Sequence, residues 1–231
     1  MRGKVVVVTG ALGALGKVVA ETALSRGARV VGIDHALSQI PATADHIELG
    51  GIDLTDEAQA KKAIDTAARH FGGLDALINI AGGFAFETIG DGDAKTWQHK
   101  TWQRMYALNV LTALSASRAA LAHLAASKAG RIVNVGAMGG LQAGAGMGPY
   151  SASKAAVHRL TEALANENKG KITVNAVLPS IIDTQANRTS MPDADFSKWV
   201  TPQELAEVIL FLASDAASAI TGALIPVSGR V

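Results

Sequence analysis

An α/β protein built around one parallel sheet is predicted by three observations. Short apolar runs alternate with longer helical patterns along the chain. Most of these runs are continuously apolar rather than alternating, as in strands covered on both faces. A glycine-rich turn, Thr9-Gly10-Ala11-Leu12-Gly13-Ala14-Leu15-Gly16, follows the first run directly and opens the first helix. Together they predict a single Rossmann-like, doubly wound domain over residues 1–231. Its centre is a seven-stranded parallel sheet with helices on both faces. A chain of 231 residues suits one large domain and is short for two.

The strands are expected at Lys4–Val8, Arg29–Asp34, His46–Leu49, Ala76–Asn79, Arg131–Val135, Thr173–Leu178 and Leu224–Val227. Helical patterns fall between them, near Ala14–Arg26, Asp56–Phe71, Trp102–Ala126, Tyr150–Asn168 and Pro202–Ser214. Gly27 and Gly72 follow helices, where a left-handed residue closes the last turn. Thr201-Pro202-Gln203-Glu204 reads as a capping box with proline at the first helical position. Two segments break the rhythm, about 83–100 and 180–200. Both follow strand ends on the side where ligands bind in such sheets, so both are expected to shape a substrate pocket.

Composition removes several function classes. The net charge is +1 without a basic block, so nothing favours nucleic acid. The absence of cysteine excludes disulfides, thiolate zinc sites and cysteine nucleophiles. The six histidines show no ligand-like pairing, so no metal is expected. The chain runs straight into a strand without a signal-peptide pattern. Its longest charge-free stretch, Ile132–Ser153, holds six glycines and a proline and reads as strand plus loop. A soluble cytoplasmic protein is the expectation.

The glycine turn points to a dinucleotide. The small residues among Gly10, Leu12, Gly13, Ala14, Leu15 and Gly16 let this stretch of backbone approach a pyrophosphate, and the helix N-terminus supplies amides. Asp34 ends the second strand, 18 residues beyond Gly16, where a carboxylate bonds the ribose and repels a 2′-phosphate. No Arg or Lys lies in the turn, so NAD(H) is favoured over NADP(H). Asp53, with Leu54 beside it, either meets the adenine or caps the following helix. Asn79-Ile80-Ala81-Gly82-Gly83 ends the fourth strand with small residues, as close approach to a cofactor requires.

Tyr150 and Lys154 lie four apart on one helix face. A free phenol titrates near 10, and a lysine cation about 4–5 Å away at an effective dielectric near 20 would lower that by roughly two to three pH units. The pair is therefore expected to serve hydride transfer coupled to proton transfer. Trp97, Trp102 and Trp199 are candidates either for stacking on a flat substrate or for packing. Gln142 and Met147, in the loop before Tyr150, are pocket candidates.

In the order and character of these motifs the chain resembles the short-chain dehydrogenases/reductases. The resemblance rests on the glycine turn, Asp34, Asp53, Asn79–Gly82, Asn109, Gly130-Arg-Ile-Val-Asn-Val, Tyr150-Ser-Ala-Ser-Lys154, and Leu178-Pro179 followed by Thr184. It implies nicotinamide-dependent redox chemistry with Tyr150 as acid/base. Lys154 would hold the nicotinamide ribose and Asn109 would support a proton relay. Pro179, Ile182 and Thr184 would lie near the nicotinamide. A homodimer or homotetramer is implied as well.

One departure is chemical. The family's catalytic serine falls at Ala137, thirteen residues before Tyr150. Ser180 and backbone amides are candidates to replace its hydroxyl. The stretch Leu178–Trp199 locally resembles dihydropteridine reductases, which also lack that serine. The expected acceptor is therefore an activated electrophile, such as a quinonoid dihydropteridine. The rival readings are a general carbonyl or alcohol oxidoreductase of 3-oxoacyl-thioester type and a catalytically silent NAD(H)-binding sensor module.

Overall fold

The computed structural model describes residues 1–90 and 99–231. Seven strands form one parallel sheet: β1 (Val5–Thr9), β2 (Arg29–Ile33), β3 (His46–Leu49), β4 (Ala76–Asn79), β5 (Gly130–Val135), β6 (Ile172–Pro179) and β7 (Leu224–Val227). Their order is β3-β2-β1-β4-β5-β6-β7, and every pairing is parallel. The order reverses between β1 and β4. At such a switch point the connections leave in opposite directions and open a crevice beyond the strand ends.

Alternate residues of each strand enter opposite cores. Val6, Val8 and Val30 pack with α1 (Ala14–Ser25) on one face of the sheet. Val5, Val7, Val31 and Ile33 pack with α2 (Glu57–Phe71) on the other. This two-sided burial is the cause of the continuous valine and isoleucine runs.

The helix expected over Trp102–Ala126 is divided. It forms α3 (Lys100–Tyr106), a π turn at Ala107–Leu111 and α4 (Thr112–Ala126). At the turn the Thr112 amide donates to the Ala107 carbonyl, one residue further back than in an α-helix. Next comes α5 (Gly148–Glu167). Part of segment 180–200 is helical, α6 (Gln185–Ser190), capped by the Thr184 hydroxyl accepting from the Asn187 amide. Finally, α7 (Pro202–Leu212) carries the expected capping box, with Thr201 and Glu204 exchanging hydrogen bonds.

Gly27 and Gly72 both have φ 77°, the left-handed conformation predicted after α1 and α2. Strand β7 is an outer strand of the sheet. The Ala223 and Val227 carbonyls accept from β6, so Pro226, out of phase with them, faces the open side. Among the described residues no helix is long and apolar enough to cross a membrane, and no cluster of potential metal ligands occurs.

Candidate active site

The crevice at the switch point is a cleft of about 720 Å³. Its lining includes every predicted glycine-turn residue from Gly10 through Gly16 except Ala11, together with Asp34, Asp53, Leu54, Ala81 and Gly82. Close approach fixes the glycines. Gly10 has φ +67°, and a Cβ there would stand 2.9 Å from the Ala81 amide nitrogen. A Cβ on Gly16 would overlap the Gly10 carbonyl. The Thr9 hydroxyl accepts from the amides of Ile80 and Ala81 at 3.0 and 3.1 Å, which locks the β1 and β4 ends together.

Asp34 accepts from the Leu12 amide and the Ala36 amide, both at 2.9 Å. Its carboxylate thus ties the glycine turn to the β2 end and stands at the cleft wall. Asp53 also lines the cleft, and its carboxylate accepts from the Thr55 amide and hydroxyl. Those bonds hold it below the usual carboxylate range. The helix-cap alternative for Asp53 is overturned, because Asp56 caps α2. A narrow glycine cradle, free helix amides and a carboxylate at the β2 end fit a dinucleotide.

Tyr150 and Lys154 lie beyond the end of this cleft, on the side of β5. The Lys154 ammonium is buried and donates to the Val135 carbonyl at 2.8 Å. It stands 6.0 Å from the centre of the Tyr150 ring. Asn109, in the π turn, connects the two regions. Its Oδ1 accepts from the Gly83 amide at 2.9 Å, and its Nδ2 donates to the Gly83 carbonyl and the Ser153 hydroxyl. The Ser153 hydroxyl in turn donates to the Tyr150 carbonyl at 2.7 Å. The Asn109 side chain is therefore committed to positioning Gly83 and the Tyr150 turn.

The sequence expectation for the phenol has the wrong sign in the protein alone. Burial pushes Tyr150 up to about 12. Lys154 does not offset this; burial brings its own pKa down to about 8. Desolvation disfavours the charged form of each group and exceeds their mutual attraction.

Other predicted pocket residues are dispersed. Ala137 is buried, and its amide donates to Nε2 of His158 at 3.4 Å. The Ser180 hydroxyl donates to the Ser228 carbonyl at 2.8 Å. Gln142 is exposed, and Met147 packs against Gly139 and Gly144. Trp199 is a correction: it is 3% exposed, with its ring 4.7 Å from that of Phe196, so its surface is spent on packing. Pro179 ends β6, Ile182 bridges to Val200, and Thr184 caps α6. Trp102 is partly exposed against Gly148, and Trp97 lies outside the described residues.

Sequence reasoning missed three residues here. Phe84 meets Tyr150 edge to face at 5.0 Å between ring centres, and Phe86 lies over Gly146. His158 fills space left by Gly136 and Gly140, where a Cβ would stand 2.6 Å from its ring. Burial and the Lys154 and Arg159 charges bring its pKa down to about 4, so it is a neutral acceptor. The glycines at positions 136 and 140 were the available signal for a ring beneath that loop.

With this geometry the chain belongs to the short chain dehydrogenase family, whose description matches residues 4–195. It is 32% identical to 2-(S)-hydroxypropyl-CoM dehydrogenase 3 of Xanthobacter autotrophicus, over 99% of this chain and 96% of the relative. It is 30% identical to the 3-oxoacyl-acyl-carrier-protein reductase FabG of Salmonella typhimurium, over 98% and 96%. Among solved structures, aldohexose dehydrogenase of Thermoplasma acidophilum superposes with a TM-score of 0.86 at 29% identity, covering 99% of this chain and 94% of that one. Carveol dehydrogenase of Mycobacterium avium, in complex with NAD, superposes with 0.84 at 26% identity, covering 99% and 97%. The protein is an oxidoreductase of a fold that binds a nicotinamide cofactor. The silent sensor reading gives way to an enzyme.

Proposed function

We propose that this protein is an NAD(H)-dependent oxidoreductase that interconverts a carbonyl and an alcohol, with Tyr150 as the proton donor in reduction. The observation that carries this reading is the buried Lys154 ammonium, held on the Val135 carbonyl beside Tyr150 at the strand ends that also form the dinucleotide cleft. The relatives named above are dehydrogenases and a reductase, which supports the carbonyl reading over others.

A nicotinamide bound here supplies or takes up the hydride. The glycine turn and the α1 amides would hold the pyrophosphate. Asp34 would accept from the adenosine ribose and disfavour a 2′-phosphate, hence NAD(H) over NADP(H). Asp53 would serve the adenine end and Lys154 the second ribose, while Asn109 fixes Gly83 and the Tyr150 turn. Ala81, Pro179, Ile182 and Thr184 would serve the nicotinamide end. Tyr150 then delivers its proton to the developing alkoxide. The enzyme works as a soluble cytoplasmic homodimer or homotetramer; the half-exposed Leu114 on α4 supports a helix-paired interface.

A second reading concerns the acceptor. Ala137 offers no hydroxyl, its amide is held by His158, and the Ser180 proton is held by Ser228. That leaves Tyr150 to polarise the substrate, which favours an acceptor that is already electrophilic, such as a quinonoid dihydropteridine.

The test is NADH oxidation with a panel of ketones and quinonoid acceptors. Tyr150→Phe is expected to lower kcat by about 10²–10⁴-fold. A phenol pushed up to about 12 is protonated at neutral pH. Reduction should therefore be flat through neutrality, while oxidation, which needs the phenolate, should rise toward alkaline pH. Unchanged turnover in the phenylalanine variant overturns the assignment.

A further inference from the structure

Resting on the oxidoreductase reading, we propose that Phe84 and Phe86 form an apolar clamp beside Tyr150 that selects a neutral, planar acceptor over an acyl thioester on a phosphorylated carrier. Phe84 touches the Tyr150 ring edge to face, yet remains 58% exposed. Phe86 is 64% exposed and lies over Gly146, where any side chain would overlap its ring. The Glu87 amide donates to the Gly146 carbonyl at 2.8 Å, which fastens this segment across the loop leading to Tyr150. Leu141, 55% exposed, belongs to the same loop.

A phenyl ring on the phenol, a second on the loop leading to it and a leucine of that loop, all held in water, are a costly arrangement. Their exposure is explained when a ligand covers them, since contiguous apolar surface marks binding sites. Rings presented edge and face prefer an aromatic or flat cyclic guest.

Charge narrows the guest further. Among the described residues of segments 83–90 and 136–149, Glu87 is the only ionisable side chain. Three further cations are already paired. Arg188 binds both carboxylate oxygens of Asp183 and stacks on Phe196 at 4.8 Å. Lys198 pairs with Asp195, and Lys154 donates to Val135. Within these two segments nothing compensates a carrier phosphate, and Glu87 repels one.

Two measurements test the clamp. In the first, NADH oxidation is followed with isatin and with acetoacetyl-CoA. The expected result is a kcat/KM at least about tenfold higher for isatin, the difference worth one well-placed aromatic contact. In the second, the NADH-loaded protein is titrated calorimetrically with coumarin, a planar neutral probe. Phe84→Ala and Phe86→Ala should each weaken coumarin about tenfold, with NADH affinity kept and with Phe84→Trp restoring binding. Preference for acetoacetyl-CoA, or coumarin affinity indifferent to both alanine variants, overturns the proposal. If no acceptor oxidises NADH, the oxidoreductase reading fails by itself, and the coumarin titration still decides the clamp.

Discussion

Lys154 shows what one buried charge costs in stability. Its ammonium is buried on the Val135 carbonyl, and its pKa falls from 10.5 to about 8. Such a fall corresponds to about 3 kcal/mol of destabilisation while both states are protonated. The sign follows from proton counts. Between the folded value near 8 and the unfolded value near 10.5 the unfolded chain binds more protons, so stability rises with pH across that window. Below it the penalty is present in full. Lys154→Met should therefore raise unfolding free energy at neutral pH by about 1–3 kcal/mol, after loss of the carbonyl bond, while abolishing turnover. Urea denaturation across the alkaline range checks this: wild type should gain stability there, and the variant should not. The pairing of Tyr150 with Lys154 was legible from four-residue spacing. The direction of their titration was not, because spacing says nothing about how much protein covers each group.

Among the elements, the glycine turn was read correctly because its cause is local. Backbone must pass close to backbone, and only residues without a side chain permit it. Gly16→Ala places a methyl group against the Gly10 carbonyl. The expected result is a loss of about 1–3 kcal/mol in stability and at least tenfold weaker NADH binding, measured by thermal denaturation and fluorescence titration. The strand positions were also legible, each within a residue or two, because two-sided burial writes continuous apolar runs. The π turn was not. Residues 102–126 carry one uninterrupted helical pattern, and the extra residue falls where Asn109 bonds Gly83 and Ser153, contacts far away in sequence. The clamp was hidden for a related reason: Phe84 and Phe86 sit in an irregular segment, where no periodicity announces what they face. Trp199 misled because residue type alone cannot separate a stacking ring from a packed one.

Across the molecule, a buried polar chain joins the sheet to α4 and α5. Asn79 donates to Ser117 on α4 and to Asn134 on β5, and Asn134 donates to Thr161 on α5. It ties β4 to β5 on the face covered by α5, the helix that carries Tyr150 and Lys154. Asn134→Ala would remove one of the two acceptors of the Asn79 amide and the donor to the Thr161 hydroxyl, deep in the interior. We expect about 2–3 kcal/mol of destabilisation by urea unfolding and a lower kcat, with cofactor affinity less affected because the glycine turn belongs to β1. The outer strand β7 carries a different consequence. A parallel sheet left open at one side is a template onto which a foreign or sister chain can add itself, a first step toward insoluble fibres. Pro226 turns toward that side a nitrogen with no hydrogen to give. The ladder is thereby capped at its last rung, and concentrated solutions of this protein gain resistance to strand-by-strand polymerisation from one imino acid.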